Sequence, residues 1–193
     1  MNKERVNNSK KLTVSQVEEE LKREVYKSKY TKILRSTIYA LIIIAAIAAI
    51  VVTQIMPVLE INETSMEPTY ENGDIVLSLK TKSLKSGDIV AFYHGNKILI
   101  KRVIAGSGSW INIDEVGNVY VNGEALSEDY ISNKMLGEVD IEFPYQVPEG
   151  KYFVLSDDRE ILIDSRMSEI GCIDKDNIIG KVVFRVWPIK KNK

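Results

Sequence analysis

Between Ser36 and Leu59 the chain runs for 24 residues without one formally charged side chain. A helix of that length spans the roughly 30 Å hydrocarbon core of a bilayer. From Ile38 to Val52 the run is apolar on every face apart from Tyr39, so it has no polar stripe to offer water, as a helix at the surface of a soluble core would. A removable signal peptide has a hydrophobic region of about 7 to 15 residues closed by small residues. This run is longer and ends in Gln54-Ile55-Met56-Pro57-Val58-Leu59. A retained transmembrane helix over 36–59 is expected, separating a basic segment 1–35 from an outer part, 60–193.

The formal net charge of −1 hides a strong asymmetry. Residues 1–35 hold ten Lys/Arg against five Asp/Glu, and residues 60–193 hold sixteen against twenty-two. By the positive-inside rule Lys22, Arg23, Lys27, Lys29, Lys32 and Arg35 stay cytoplasmic and the outer part is exported. Cys172 is the only cysteine, so the exported part holds itself together by packing, without an intrachain disulfide. With one histidine and one cysteine in the chain, no recognisable metal cluster or cofactor motif is present, and none is expected. An acidic outer domain repels phosphate and speaks against nucleic acid as a partner.

Residues 1–12 are polar and read as disordered, and Ser15 to Tyr26 reads as a short cytoplasmic helix. Beyond the apolar run the texture changes to short β-like segments set off by Gly, Asn and Asp. Ile75–Leu79, Ile89–Tyr93, Ile98–Ile104, Val119–Val121, Tyr152–Leu155 and Ile178–Val186 are expected strands, with hairpin turns at Gly95-Asn96 and Asn122-Gly123. The fold class is therefore mainly β: one N-terminal transmembrane helix followed by an exported antiparallel sheet or partly closed barrel. Residues 107–150 look like a peripheral insertion. Periodicity leaves open whether it packs as a small domain or as long loops.

Three segments carry candidate chemistry. Ser65, in Asn62-Glu63-Thr64-Ser65-Met66-Glu67-Pro68-Thr69, lies six residues beyond Leu59 and so within roughly 20 Å of the bilayer boundary. A serine beside a proline turn is more often a turn residue than a nucleophile, and it needs a base to become one. His94 sits at the Gly95-Asn96 turn, which disfavours a histidine base. A lysine serves if burial keeps it neutral. Lys80, Lys82 and Lys85 lie in a polar link and are expected in solvent. Lys101 lies in Ile98-Leu99-Ile100-Lys101-Arg102-Val103-Ile104, where alternation sends it inward if Arg102 faces out. On that segment alone an edge-strand lysine is an equal alternative. Finally Ser156-Asp157-Asp158-Arg159 and Asp164-Ser165-Arg166 could brace a loop by bidentate ion pairs or form a solvated turn.

In this order the three segments resemble bacterial type I signal peptidases, membrane-bound Ser/Lys endopeptidases that remove signal peptides from exported proteins. Ser65 to Thr69 matches the Ser-Met-x-Pro-Thr motif of that family and Lys101 to Ile104 its Lys-Arg-Val-Ile. Ser156–Arg159 with Asp164–Arg166 approximates Gly-Asp-Asn-Arg followed by Asp-Ser-Arg. Ile179-Gly180-Lys181-Val182 and Trp187-Pro188 are also similar, and the single anchor resembles the Gram-positive form. The resemblance implies Ser65 as nucleophile, Lys101 as general base, the Ser65 N–H as an oxyanion donor, and Asp157, Arg159, Asp164 and Arg166 as supports of the catalytic loop. It implies signal peptides as substrates, bound as an added strand and cut after small residues in an Ala-x-Ala pattern. The lipid bilayer and the secretion translocon are the implied surroundings, at the plasma membrane.

Four positions depart from the family pattern. Glu63 stands where a small residue is usual, and a carboxylate near a developing oxyanion opposes catalysis unless it points away. Ser156 and Asp158 replace Gly and Asn. Leu162 stands where a serine commonly orients the lysine. Glu63 and Leu162 favour one rival, a silent module that binds exported or pilin-like proteins without cutting them, whereas retention of both Ser65 and Lys101 argues against it. Self-cleaving repressors also pair Ser with Lys, but they are soluble and carry a DNA-binding domain.

Overall fold

The computed structural model describes residues 14–81 and 83–189. Segment 1–12, read as disordered, and Lys82, read as solvated, lie outside them. The chain divides into two units, Met1–Ile50 and Val51–Lys193.

Helix α1, Val14–Ile55, forms the first unit as far as Ile50, and its last residues belong to the second. The short N-terminal helix expected from Ser15 is thus the first part of one continuous helix that carries the apolar run. Leu41, Ile42, Ile43 and Ile44 go once round the axis and are each between 57% and 63% exposed. A helix with apolar side chains exposed on every side needs lipid rather than water around it, and α1 is long and apolar enough to cross a bilayer. It fits a membrane anchor. The protein is therefore expected to stay with the membrane fraction through high-salt washes and to enter the supernatant only with detergent, as followed by sedimentation and immunoblot. The helix stops at Ile55, short of the expected Leu59. Pro57 has no N–H to continue it, and Val58 and Leu59 enter a strand instead.

That strand, β1 (Val58–Glu60), is the first strand of the second unit. It is followed by β2 (Ile75–Leu79), β3 (Ile89–His94), β4 (Lys97–Gly106), β5 (Trp110–Ile113), β6 (Val119–Val121), β7 (Glu124–Ala125), β8 (Tyr145–Gln146), β9 (Lys151–Leu155), β10 (Ile173–Asp174) and β11 (Ile178–Trp187). Seven of them form one sheet in the order β1-β2-β11-β3-β4-β9-β10, and four a second in the order β7-β6-β5-β8. Every pairing is antiparallel. Both expected hairpins form. Asn122 and Gly123 have φ of 54° and 85°, the two positive angles of a type I′ turn whose twist matches the flanking strands.

The insertion shares its core with the large sheet. Ile111, Ile113, Val119 and Val147 are buried with Ile104, Ala105, Phe153 and Leu155 of β4 and β9 in one cluster, so the small sheet is fastened to the large one. Its 126–143 stretch has no strand and folds back over the β5–β6 turn. Gly117 permits this, because a Cβ there would stand 2.3 Å from the Met135 nitrogen.

β4 positions the site. It pairs with β3 along Lys97–Arg102, whereas β9 joins it only from Arg102 onward. Residues 97–101 thus have a strand on one side and none on the other.

Candidate active site

Ser65 and Lys101 meet. The Lys101 Nζ lies 2.5 Å from the Ser65 Oγ, and the two residues are 0% and 1% exposed. Ser65 sits in the turns that follow β1, where Met66 is buried with Ile61 and Ile100. That apolar anchor holds the serine against β4. Burial pulls the Lys101 pKa down from its ordinary value, while the Glu63 carboxylate pushes the other way. Of the two environments left open for Lys101, the interior one is found.

Glu63, whose effect the motif comparison left dependent on where it points, is a partner of the lysine. Its carboxylate accepts from Lys101 Nζ at 2.8 Å and from the Ile100 N–H at 2.9 Å. Both oxygens are thereby committed to β4. Leu162, by contrast, packs on the backbone of Gly137, whose Cβ would come within 2.8 Å of it.

Among the described residues none accepts a hydrogen bond from the Ser65 N–H. A cavity of about 260 Å³ opens there, lined by Asn62, Glu63, Thr64, Ser65, Asn72, Ile161 and Ile163. The Ser65 carbonyl accepts from the Asp158 N–H at 3.0 Å, which ties the serine to the 156–166 loop.

That loop is braced, and it is not a solvated turn. Asp157, Arg159, Asp164 and Arg166 are at most 1% exposed. Asp164 and Arg166 pair side on, with Nε to Oδ1 at 2.9 Å and Nη2 to Oδ2 at 2.8 Å. Arg166 also donates to the carbonyls of Met135, Leu136, Arg159 and Ile161. Asp157 takes a fork of hydrogen bonds from Arg102, 2.7 Å from Nε and 2.5 Å from Nη2, and a third from the Thr69 hydroxyl at 2.5 Å. Arg159 pairs with Glu128.

Two of these partners correct the reading from sequence. The condition attached to an inward Lys101, that Arg102 face solvent, is not met: Arg102 is 8% exposed, because the loop covers the face of β4 opposite Lys101. The insertion is more than peripheral: Glu128 is buried against Arg159, and the Arg102 guanidinium lies 3.8 Å from the centre of the Tyr130 ring. Nothing in Ser127-Glu128-Asp129-Tyr130 marks it as different from any acidic loop, so sequence reasoning had no signal for this contact. For Arg102 a signal existed in the neighbouring Lys-Arg pair, but it needed the knowledge that both faces of β4 are covered. The described residues contain no group of His, Cys, Asp and Glu able to hold a metal ion.

Residues 34–187 match the family described as signal peptidase, peptidase S26. Signal peptidase IB of Staphylococcus aureus is 36% identical over 150 residues, which cover 67% of this chain and 76% of that protein. Thylakoidal processing peptidase 1, chloroplastic, of Arabidopsis thaliana is 34% identical over 148 residues, 68% of this chain but only 42% of the plant protein. The crystal structure of a signal peptidase I from Enterococcus faecalis V583 aligns with a TM-score of 0.44 and 28% identity, covering 54% of this chain and all of that one.

Proposed function

This chain belongs to the S26 family as a bacterial type I signal peptidase, and from that membership we propose that it cleaves preproteins with Ser65 as nucleophile and Lys101 as general base. As a family member it is a serine peptidase that removes signal peptides. The observation that carries the residue assignment is the 2.5 Å contact between Lys101 Nζ and Ser65 Oγ, with both groups out of solvent.

Neutral Lys101 takes the hydroxyl proton as Ser65 Oγ bonds to the scissile carbonyl carbon and the carbonyl π electrons move to its oxygen. The Ser65 N–H, with no internal acceptor among the described residues, supports a role as donor to that oxyanion. Collapse of the intermediate breaks the C–N bond, and the departing amine takes the proton from Lys101. A water deprotonated by Lys101 then releases the acyl group and restores Ser65. Asp157, Arg159, Asp164 and Arg166 hold the loop that fixes the serine.

The substrate in this reading is an extended peptide added along the edge of β4 that no strand covers, at 97–99, short of the Ile100 N–H that Glu63 holds. The cavity beside Ser65, narrowed by Ile161 and Ile163, favours the small side chains of an Ala-x-Ala site. We assign residues 36–59 to the membrane and its boundary, 1–35 to the cytoplasm and 60–193 to the outer face of the plasma membrane, following the charge asymmetry. A serine tethered just beyond the anchor reaches a cleavage site that itself lies just beyond an apolar segment. Contact with lipid and with the translocon that delivers the preprotein belongs to the same proposal.

The test is cleavage of a preprotein with an Ala-x-Ala site by detergent-solubilised protein, beside Ser65→Ala. Wild type is expected to cut after the second Ala, as read by N-terminal sequencing of the product, and the variant to leave the preprotein intact. Cleavage by both would remove Ser65 from the mechanism. No cleavage by folded wild type across several preproteins would return the silent binding module.

A further inference from the structure

A lysine base has to be oriented as well as neutral. A neutral amine carries two N–H donors and one lone pair, and it acts as a base only when the lone pair faces the hydroxyl. The terminal C–N bond turns freely unless an N–H is held. Among the described residues, Nζ of Lys101 has two hydrogen-bond partners, Ser65 Oγ and Glu63 Oε2. An ionised carboxylate can only accept, so Glu63 takes an N–H and never the lone pair, which stays available to the serine. The carboxylate is itself held, because its other oxygen accepts from the Ile100 N–H. Ile100 and Lys101 are consecutive in β4, so the clamp returns the lysine tip to the backbone of its own strand. Glu63 also precedes Ser65 by two residues, which couples the clamp to the nucleophile's segment.

The other charges around Lys101 are spoken for. Asp157 and Asp164 act on it from the 156–166 loop, but Asp157 is forked by Arg102 and Asp164 by Arg166. Across the sheet β3 presents Val90 in register with Lys101. From β9, Leu155 stands opposite Arg102. Glu63 alone forms an ion pair with the lysine among the described residues.

Building on the Ser/Lys reading, we propose that Glu63 is the positioning residue of the pair: clamped on the Ile100 N–H, its carboxylate turns Lys101 Nζ toward Ser65, and its charge sets the pH at which the pair becomes active. One side chain thus does two things of opposite sign. It orients the amine, which raises the rate, and it stabilises the ammonium against burial, which moves the onset of activity to higher pH.

The two effects separate by substitution. Glutamine replaces one of the two acceptor oxygens by an NH2 donor, so in the carboxylate's place Glu63→Gln turns that donor either toward Nζ, where it competes for the lone pair, or toward the Ile100 N–H, which then loses its acceptor. In pH profiles of kcat and kcat/KM on the preprotein, Glu63→Gln and Glu63→Ala are expected to move the acid-side onset to lower pH. Their plateau kcat should fall on the order of a hundredfold, the effect of a misplaced catalytic group. Glu63→Asp keeps the charge but is one methylene short; its plateau falls with the onset held near that of wild type. An onset that stays in place when the charge is removed overturns the proposal, and so does an unchanged plateau. A merely structural role predicts lower thermal stability with no movement of the onset, which would also overturn it. If Glu63→Gln does not fold, Glu63→Asp decides by the same criterion, because an unchanged plateau there excludes the clamp. Ser65→Ala and Lys101→Ala run alongside: cleavage by either sinks the Ser/Lys reading, and the Glu63 assignment falls with it. Two silent dyad variants with an unmoved Glu63→Gln onset sink the Glu63 assignment alone.

Discussion

Lys101→Ala is expected to abolish preprotein cleavage, with kcat/KM falling on the order of 10⁴-fold or more, the upper range for loss of a general base. The lysine tip is the only basic group hydrogen-bonded to the Ser65 hydroxyl among the described residues. Truncation also leaves the Glu63 carboxylate without its cation, so Lys101→Met, which keeps most of the stem, is the better control for packing. Both variants should lose activity alike, measured as preprotein turnover with folding checked by near-ultraviolet circular dichroism. In wild type the rate should rise with pH as Lys101 loses its proton and then level off. Burial lowers the lysine pKa, so the neutral, active form appears at a lower pH than for a lysine in water. A Lys101→Met protein that cleaves at a rate near wild type would contradict the mechanism.

Arg166→Ala should cause the largest loss of stability. Arg166 and Asp164 are both 0% exposed. The guanidinium meets Asp164 and four backbone carbonyls drawn from the 156–166 loop and the 126–143 stretch. Removing it leaves a buried carboxylate unpaired, which costs about 3–5 kcal/mol and lowers the melting temperature by roughly 10 °C for a domain of this size. Arg166→Lys should not restore it, because an ammonium cannot reproduce a planar fork together with several carbonyl contacts. Thermal unfolding in detergent measures both variants. A loss under 1 kcal/mol for Arg166→Ala would mean that the loop is held by other contacts. Activity should fall in parallel, since the same loop holds the Ser65 carbonyl through Asp158.

The parts of the fold legible in sequence are those with a local signature. The strands β2, β3, β4, β6, β9 and β11 follow runs of β-branched and aromatic residues bounded by turn formers, and Asn122-Gly123 shapes its hairpin by backbone preference alone. The strands that escaped notice, β1, β5, β7, β8 and β10, are at most four residues long. Segments so short are strands only because a neighbouring strand pairs with them.

The sequence by itself determined the class of the molecule, because an uncharged run long enough to cross a bilayer, a basic flank before it and β-textured chain after it are properties of consecutive residues. It also named Ser65 and Lys101, through motifs read within a few positions. Only the tertiary structure decided what surrounds them. Glu63 meets a lysine 38 positions away, Arg102 an aspartate 55 away and Arg159 a glutamate 31 away. A charged side chain in isolation reads as a solvated one. Burial becomes tolerable only when a partner of opposite charge arrives with it, and that depends on which strands and loops the fold brings together.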